Sequence, residues 1–227
     1  MILALETSTT NCSVALFKDG KCFSHIEENA GYSHAENLSL FVDELLKLNN
    51  ISKSNLKAIA VNKGPGSYTG LRIGVSTAKG LAFGLNIPLL SFESLEAMFL
   101  NTSIQNQIEQ FDLFVPMLDA RRMEVYMSIY NKQGEQIAPT TASIIHEEFF
   151  NGFEGKKILI FGPGADKLDG TFIKNEHIQT IKNIHPSAKD AASICSLKMS
   201  KNQTEDVAYF EPFYLKEFVG TTPKKRL

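Results

Sequence analysis

The chain has 227 residues, with 23 Lys plus Arg against 25 Asp plus Glu and a formal charge of −2. At about 150 residues per domain this is one large unit or two small ones, able to hide about 70% of its unfolded surface without disulfide or metal. The balanced charge excludes the electrostatic footprint of an autonomous nucleic-acid binder, and 43% hydrophobic with 21% charged residues excludes disorder and fibre.

Residues 2–5 form an apolar run that meets Glu6 without a basic leader, so they read as a strand and not as a signal peptide. Thr7-Ser8-Thr9-Thr10 makes a polar turn, residues 12–17 a second strand, and Asp19-Gly20 a hairpin signal before Lys21–Glu28. Ser33 with Glu36 three residues later predicts a capping box. Leu38, Phe41, Val42, Leu45 and Leu48 follow at helical spacing, and Asn49-Asn50 ends the helix. Residues 56–61 read as a buried strand leading into Gly64-Pro65-Gly66-Ser67-Tyr68-Thr69-Gly70 and a helix to about Leu85. Residues 87–92 predict another strand and 94–100 a short helix. The longest uncharged stretch, residues 80–92, contains Pro88 and falls short of the ~20 residues that span a bilayer. A cytoplasmic chain with no membrane contact is expected.

After a polar stretch over 101–110 the pattern restarts. Residues 113–118 are apolar and end in Asp119, residues 123–130 are strand-like, and Gln133-Gly134 makes a turn. Glu6 to Asp119 is an offset of 113 residues and Gly20 to Gly134 one of 114, each about half the chain. Strand, acidic turn, strand and glycine turn thus occur twice, which predicts two duplicated αβ lobes, divided as 1–104 and 105–227. The second half continues with a strand over 157–161, a loop at Gly162-Pro163-Gly164, a helix over 187–200, and Lys224-Lys225-Arg226 as a solvated tail.

A Walker loop places four residues between its glycines and then Lys-Ser or Lys-Thr. Here Gly64 and Gly70 bracket five residues and Leu71-Arg72 follow. The dinucleotide fingerprint also fails, its third glycine coming one position late. Tight strand-to-helix geometry is the expected reason for these glycines, and an anion at the helix N-terminus the competing one. In that helix Gly70, Gly74, Ala78 and Ala82 recur every four residues, Ser76, Gly80 and Gly84 form a second small row, and Arg72 and Lys79 share one polar stripe. A helix apolar over most of its circumference needs cover from more than one side: the chain's own sheet, then a later helix or a second protein. The five histidines include no helical pair four apart, the three cysteines (Cys12, Cys22, Cys195) form no CxxC and fit a reducing compartment, and no PCxxC accompanies His34-Ala35-Glu36. No metal site is expected. Glu6 beside Thr7-Ser8 could hold magnesium or a water for phosphoryl transfer, but arginines crowd its counterpart Asp119.

Glu6-Thr7-Ser8, the run from Gly64 to Gly74, Ala78-Lys79-Gly80-Leu81-Ala82 and Asp119-Ala120-Arg121-Arg122-Met123-Glu124-Val125-Tyr126 closely resemble the TsaB (YeaZ) family. The likeness is strong over the first 130 residues and thinner after them, with Glu6 and Tyr68 standing where the family more often has Asp and Phe. It implies a duplicated actin-like (ASKHA, RNase H-like) α/β fold of two lobes, each a mixed sheet flanked by helices. It implies a non-catalytic subunit that pairs with TsaD, is joined by TsaE, and serves threonylcarbamoyl transfer to the adenosine beside the tRNA anticodon, touching tRNA only through the complex. A homodimer is implied where TsaD is absent. The pairing surface would draw on His34, Leu38, Phe41, Val42, Leu45, Gly70, Arg72, Gly74 and Ala78, with Gly64, Pro65, Gly66, Ser67, Tyr68 and Thr69 as the motif loop. Glu6, Thr7 and Ser8 are the candidate nucleotide contacts, with no cofactor of the chain's own and ATP or ADP only at the complex interface. Ser94 and Met98 fall where TsaD carries its two metal-binding histidines, which speaks against a metallopeptidase. An autonomous ATP-dependent phosphotransferase built on Glu6 and Asp119 is the alternative.

Overall fold

The first strand explains the layering of its lobe. Along Ile2–Glu6 (β1), the pleat sends Leu3 and Leu5 into one cluster and Ile2 and Ala4 into another, so the strand is buried on both faces. In the computed structural model, which describes residues 1–29, 31, 34–168, 170 and 175–216, β1 is the centre of a five-stranded sheet. Cys12–Lys18 (β2) pairs antiparallel to it and Lys21–Glu28 (β3) antiparallel to β2. Ala58–Gly64 (β4) and Leu89–Glu93 (β5) continue on the other side in parallel. Asp19 and Gly20, both at positive φ, make the tight turn that the Asp-Gly pair predicts. Ser33 of the predicted capping box and Lys224, Lys225 and Arg226 lie outside the described residues.

Two helices, His34–Leu48 (α1) and Tyr68–Leu85 (α2), cover the Leu3/Leu5 face. Ser94–Phe99 (α3) and Thr102–Gln105 (α4) lead to the second sheet. Its strands are Leu113–Asp119 (β6), Glu124–Asn131 (β7), Gln136–Ile144 (β8), Ile158–Phe161 (β9) and Ile178–Ile181 (β10). The spatial order β8-β7-β6-β9-β10 and the pairing senses repeat those of β3-β2-β1-β4-β5. Duplication is therefore structural as well as positional. Gly162-Pro163-Gly164 enters one short helix, Pro163–Asp166 (α5), instead of a plain loop.

The end of the chain returns to the first lobe. A 3-10 turn at Ala188–Ala191 and the helix Ala192–Ser200 (α6) place Ala188, Ala191, Ala192, Ile194 and Cys195 against Ile2, Ala4, Phe17 and Phe92. Residues 205–216 then run back along α2: Glu205 N donates to Leu89 O, Phe213 N to Lys63 O, and Val207 and Phe210 pack on the α1/α2 core. The first lobe thus needs residues from both ends of the sequence to close its two faces. No helix among the described residues is long and apolar enough to cross a membrane.

Candidate functional site

The turn after β1 is seated inside the lobe. Glu6 and Thr7 are fully buried and Ser8 nearly so. Ser8 N donates to Glu6 Oε1 at 2.6 Å, and Glu6 Oε2 has no hydrogen-bond partner among the described residues. Burial pushes the Glu6 carboxyl up to about 7, against the opposing pull of hydrogen bonds from Ser8 and Thr7. Thr7 Oγ1 donates to Gly70 O at 2.8 Å, Thr7 N to Asn62 Oδ1, and Asn62 Nδ2 to Ser94 Oγ at 2.7 Å. Ser67 N donates to Ser8 O, and Ser67 Oγ caps α2 by accepting from Gly70 N.

This seat explains the glycines. A Cβ on Gly66 would lie 2.5 Å from Ser8 O, one on Gly70 2.1 Å from Thr7 O, and one on Gly74 2.3 Å from Thr7 Oγ1. The second lobe repeats the device: a Cβ on Gly162 would meet Met117 O at 2.4 Å and one on Gly164 would meet Leu118 O at 2.8 Å. In both lobes the glycines after the fourth strand let that loop press on the end of the first. The expected nucleotide contacts Glu6, Thr7 and Ser8 therefore lie beneath the motif loop Gly64–Thr69, and a ligand could meet them only if the loop moved. The Gly64-Pro65 bond of that loop is cis.

The helix faces correct the expected pairing surface. Leu38, Val42, Leu45 and Ala78 are buried in the lobe's own core, and His34 is buried with Nε2 donating to Thr9 O at 2.6 Å. Gly70 and Gly74 face Thr7, so the first small-residue row admits this chain's own turn and not a partner. Gly74→Trp, which a surface reading would choose to block pairing, would collide with the fold itself. Phe41 is half-buried against the same core. Arg72 is exposed but engaged: its guanidinium sits 4.2 Å over the Tyr68 ring, and Nε donates to Tyr214 Oη at 3.3 Å. The Tyr68 and Tyr214 rings meet at 4.6 Å between centroids, tilted by 32°, and Lys79 Nζ donates to Ala208 O and Phe210 O, each at 3.0 Å. The polar stripe of α2 thus holds the chain's own residues 205–216. Here the cover is a later segment of turns and irregular chain, where the sequence offered a later helix or a second protein.

The second small row is the one that faces out. A Cβ on Gly80 or Gly84 would meet nothing within 4 Å, and Phe83 between them is 82% exposed. On α1, Leu40 and Leu48 stand 64% and 66% exposed, two turns apart on one face. Since α1 and α2 cover the same side of the sheet, their outward stripes face solvent together. Helical spacing contained both small rows; only the position of the sheet says which is inside.

The carboxylate pair separates. Asp119 is exposed, accepts from Arg121 N at 2.8 Å and pairs with Lys167 Nζ, so its surroundings are unlike the closed seat of Glu6. Ser94 is buried on the Asn62 hydrogen bond and Met98 is buried against Gly162. No group of three potential metal ligands occurs among the described residues.

A family model described as TsaD, tRNA N6-adenosine threonylcarbamoyltransferase, matches residues 26–216. The tRNA threonylcarbamoyladenosine biosynthesis protein TsaB of Escherichia coli is 29% identical over 231 residues, covering 96% of each chain. TsaB of Haemophilus influenzae is 39% identical over 127 residues, covering 56% of this chain and 52% of the relative. A crystal structure of a Pseudomonas aeruginosa protein with similarity to peptidase YEAZ superposes with a TM-score of 0.77 at 27% identity, over 95% of this chain and 99% of that one. The duplicated two-lobe architecture is accordingly of the actin-like, ASKHA type.

Proposed function

The chain belongs to the TsaD family, on its TsaB (YeaZ) branch, and from that premise we propose that it is a non-catalytic subunit of tRNA threonylcarbamoyladenosine biosynthesis that pairs with TsaD. The observation that carries the reading is the outward stripe of α1 and α2. A phenylalanine 82% exposed between two open glycines, on a lobe face whose other helix exposes Leu40 and Leu48, has the form of a knob with space for a partner's backbone next to it. Burying such a ring is worth about 1.5–3 kcal/mol, and aromatic anchors of this kind dominate interfaces.

TsaD is the fitting occupant because it is the family's own catalytic member and would bring matching helices to the same face. Two related chains meeting in this way form a pseudo-symmetric bundle; two copies of this chain form an isologous one in the absence of TsaD. TsaE joins the pair, tRNA is presented by the assembly, and ATP or ADP belongs to the complex interface. The chain's own contribution to chemistry is positional: Glu6 is closed off under the motif loop, so the phosphotransferase alternative has no open carboxylate at the end of β1.

The test is Phe83→Asp in the full chain mixed with TsaD. Circular dichroism and Tm should match the wild type, because the ring is exposed, while affinity for TsaD should fall about 30-fold or more, as for an interface anchor worth 2 kcal/mol or more. Unchanged pairing would overturn the placement. In parallel, tRNA modification reconstituted with TsaD and TsaE should require this chain, while the chain alone turns over no ATP.

A further inference from the structure

The turn between β6 and β7 is built unlike its counterpart between β1 and β2. The counterpart is buried under glycines; residues 121–123 are exposed. Arg121 and Arg122 both adopt left-handed backbone, with φ of 67° and 53°. For a side chain of that size this conformation costs about 1–2 kcal/mol per residue, and hairpin turns that need it ordinarily use Asn-Gly or Asp-Gly, as residues 19–20 do here. The conformation is held in place by its surroundings. Asp119 Oδ1 accepts from Arg121 N, and Ala120 N donates to Glu124 O at 3.1 Å. Lys167 Nζ reaches in from the end of α5 to Asp119 Oδ1, Arg122 O and Glu124 O. The neighbouring carboxylates are already matched: Asp119 by Lys167 and Glu124 by Lys216. Neither guanidinium has an acidic partner among the described residues, and Met123 beside them is 64% exposed.

We propose that this braced turn is a phosphodiester contact, through which Arg121 and Arg122 hold the backbone of the tRNA brought into the assembly. Two exposed guanidiniums, without an acidic partner among the described residues and carried on a braced turn, match phosphate oxygens by fork geometry, and the exposed Met123 offers an apolar surface to an adjoining ribose or base. A local contact of this kind suits a chain whose net charge of −2 gives no general attraction to a polyanion. Backbone contacts carry position and not sequence, which fits a subunit that orients RNA for a catalytic neighbour. The proposal rests on the pathway reading above for the identity of the RNA, and not on the α1/α2 face.

The test replaces Arg121→Asn and Arg122→Gly together. Both new residues accept left-handed backbone, so Tm should hold or rise while the charges vanish. Labelled, unmodified substrate tRNA is titrated with the full chain paired with TsaD. Losing two phosphate contacts should weaken binding about 25- to 60-fold at ~0.1 M salt and lower the slope of log K against log salt by about 1.4–1.8. Arg121→Lys with Arg122→Lys should keep most of that slope. Unchanged RNA affinity and slope in the Asn-Gly variant overturns the proposal. So does intact RNA binding with lost TsaD pairing, which would assign the arginines to protein carboxylates. Tight competition by inorganic phosphate at constant ionic strength also overturns it, as the mark of a small-anion site. If the wild type does not hold TsaD, the pairing reading fails by itself, and the same titration with the chain alone at low salt still decides this one.

Discussion

One substitution made at two places on the same helix should have opposite effects. Gly80→Ala adds a Cβ into open space in the middle of α2. Alanine is the better helix former by about 0.8–1.0 kcal/mol, so stability should rise by roughly that amount. Gly70→Ala adds a Cβ that would lie 2.1 Å from Thr7 O and 3.3 Å from Thr7 C, both backbone atoms of a fully buried residue. Relief requires moving either the β1–β2 turn or the start of α2, and the move breaks the bond from Thr7 Oγ1 to Gly70 O. Overpacking costs about 1–3 kcal/mol and the lost hydrogen bond about 1 more, which outweighs any propensity gain in a first-turn position. Net destabilisation should be about 2–3 kcal/mol. For a chain of this length 1 kcal/mol corresponds to about 2–4 °C, so Tm should rise by ~2–4 °C in Gly80→Ala and fall by ~4–12 °C in Gly70→Ala. Both are read by calorimetry at a concentration where the chain is monomeric, since Gly80 lies on the proposed pairing face. A Gly70→Ala protein as stable as the wild type would refute the account of the glycine loop as a close-packed seat.

Three further outcomes follow from the same contacts. The Glu6 carboxyl is raised from 4.5 to about 7 in the folded chain, so its contribution is full below about pH 4.5 and is lost as pH rises through 7. Glu6→Gln should remove up to ~3 kcal/mol of that decline between pH 5 and 8 in denaturant titrations, and an unaltered slope would show that Glu6 does not hold its proton. Asp190, pushed up to about 6 chiefly by burial, leaves a smaller decline of the same sign, which Asp190→Asn should abolish under the same titration. Lys79→Met removes the donor to Ala208 O and Phe210 O; it should cost about 1–2 kcal/mol and speed proteolysis within residues 205–216 while the α1 and α2 amides keep their hydrogen-exchange protection.

Much of the fold was legible in the sequence because strands, turns and helices are local matters of period and punctuation. The two acidic strand ends 113 residues apart announced a duplication that the two sheets repeat strand for strand. Asp19-Gly20 and the span of α2 came from the same local chemistry. Two edge elements carried too little signal: β8 mixes exposed and half-buried positions, and β10 is four residues long. The left-handed arginines left no trace at all, since Arg-Arg is not a turn signature and the brace from Lys167 comes from 45 residues further along.

What the chain alone determined was the angle between the two small-residue rows of α2 and the excess of apolar circumference around them. Which row faces the sheet was decided by tertiary structure: a helix apolar nearly all round has no dominant direction, so its azimuth is set by what it must pack on. Thr7 claimed Gly70 and Gly74, residues 205–216 claimed Arg72 and Lys79, and Phe83 with Gly80 and Gly84 was left for solvent. The return of residues 188–200 to the first lobe has the same origin, because a sheet buried on two faces takes its second cover from wherever the chain can supply it.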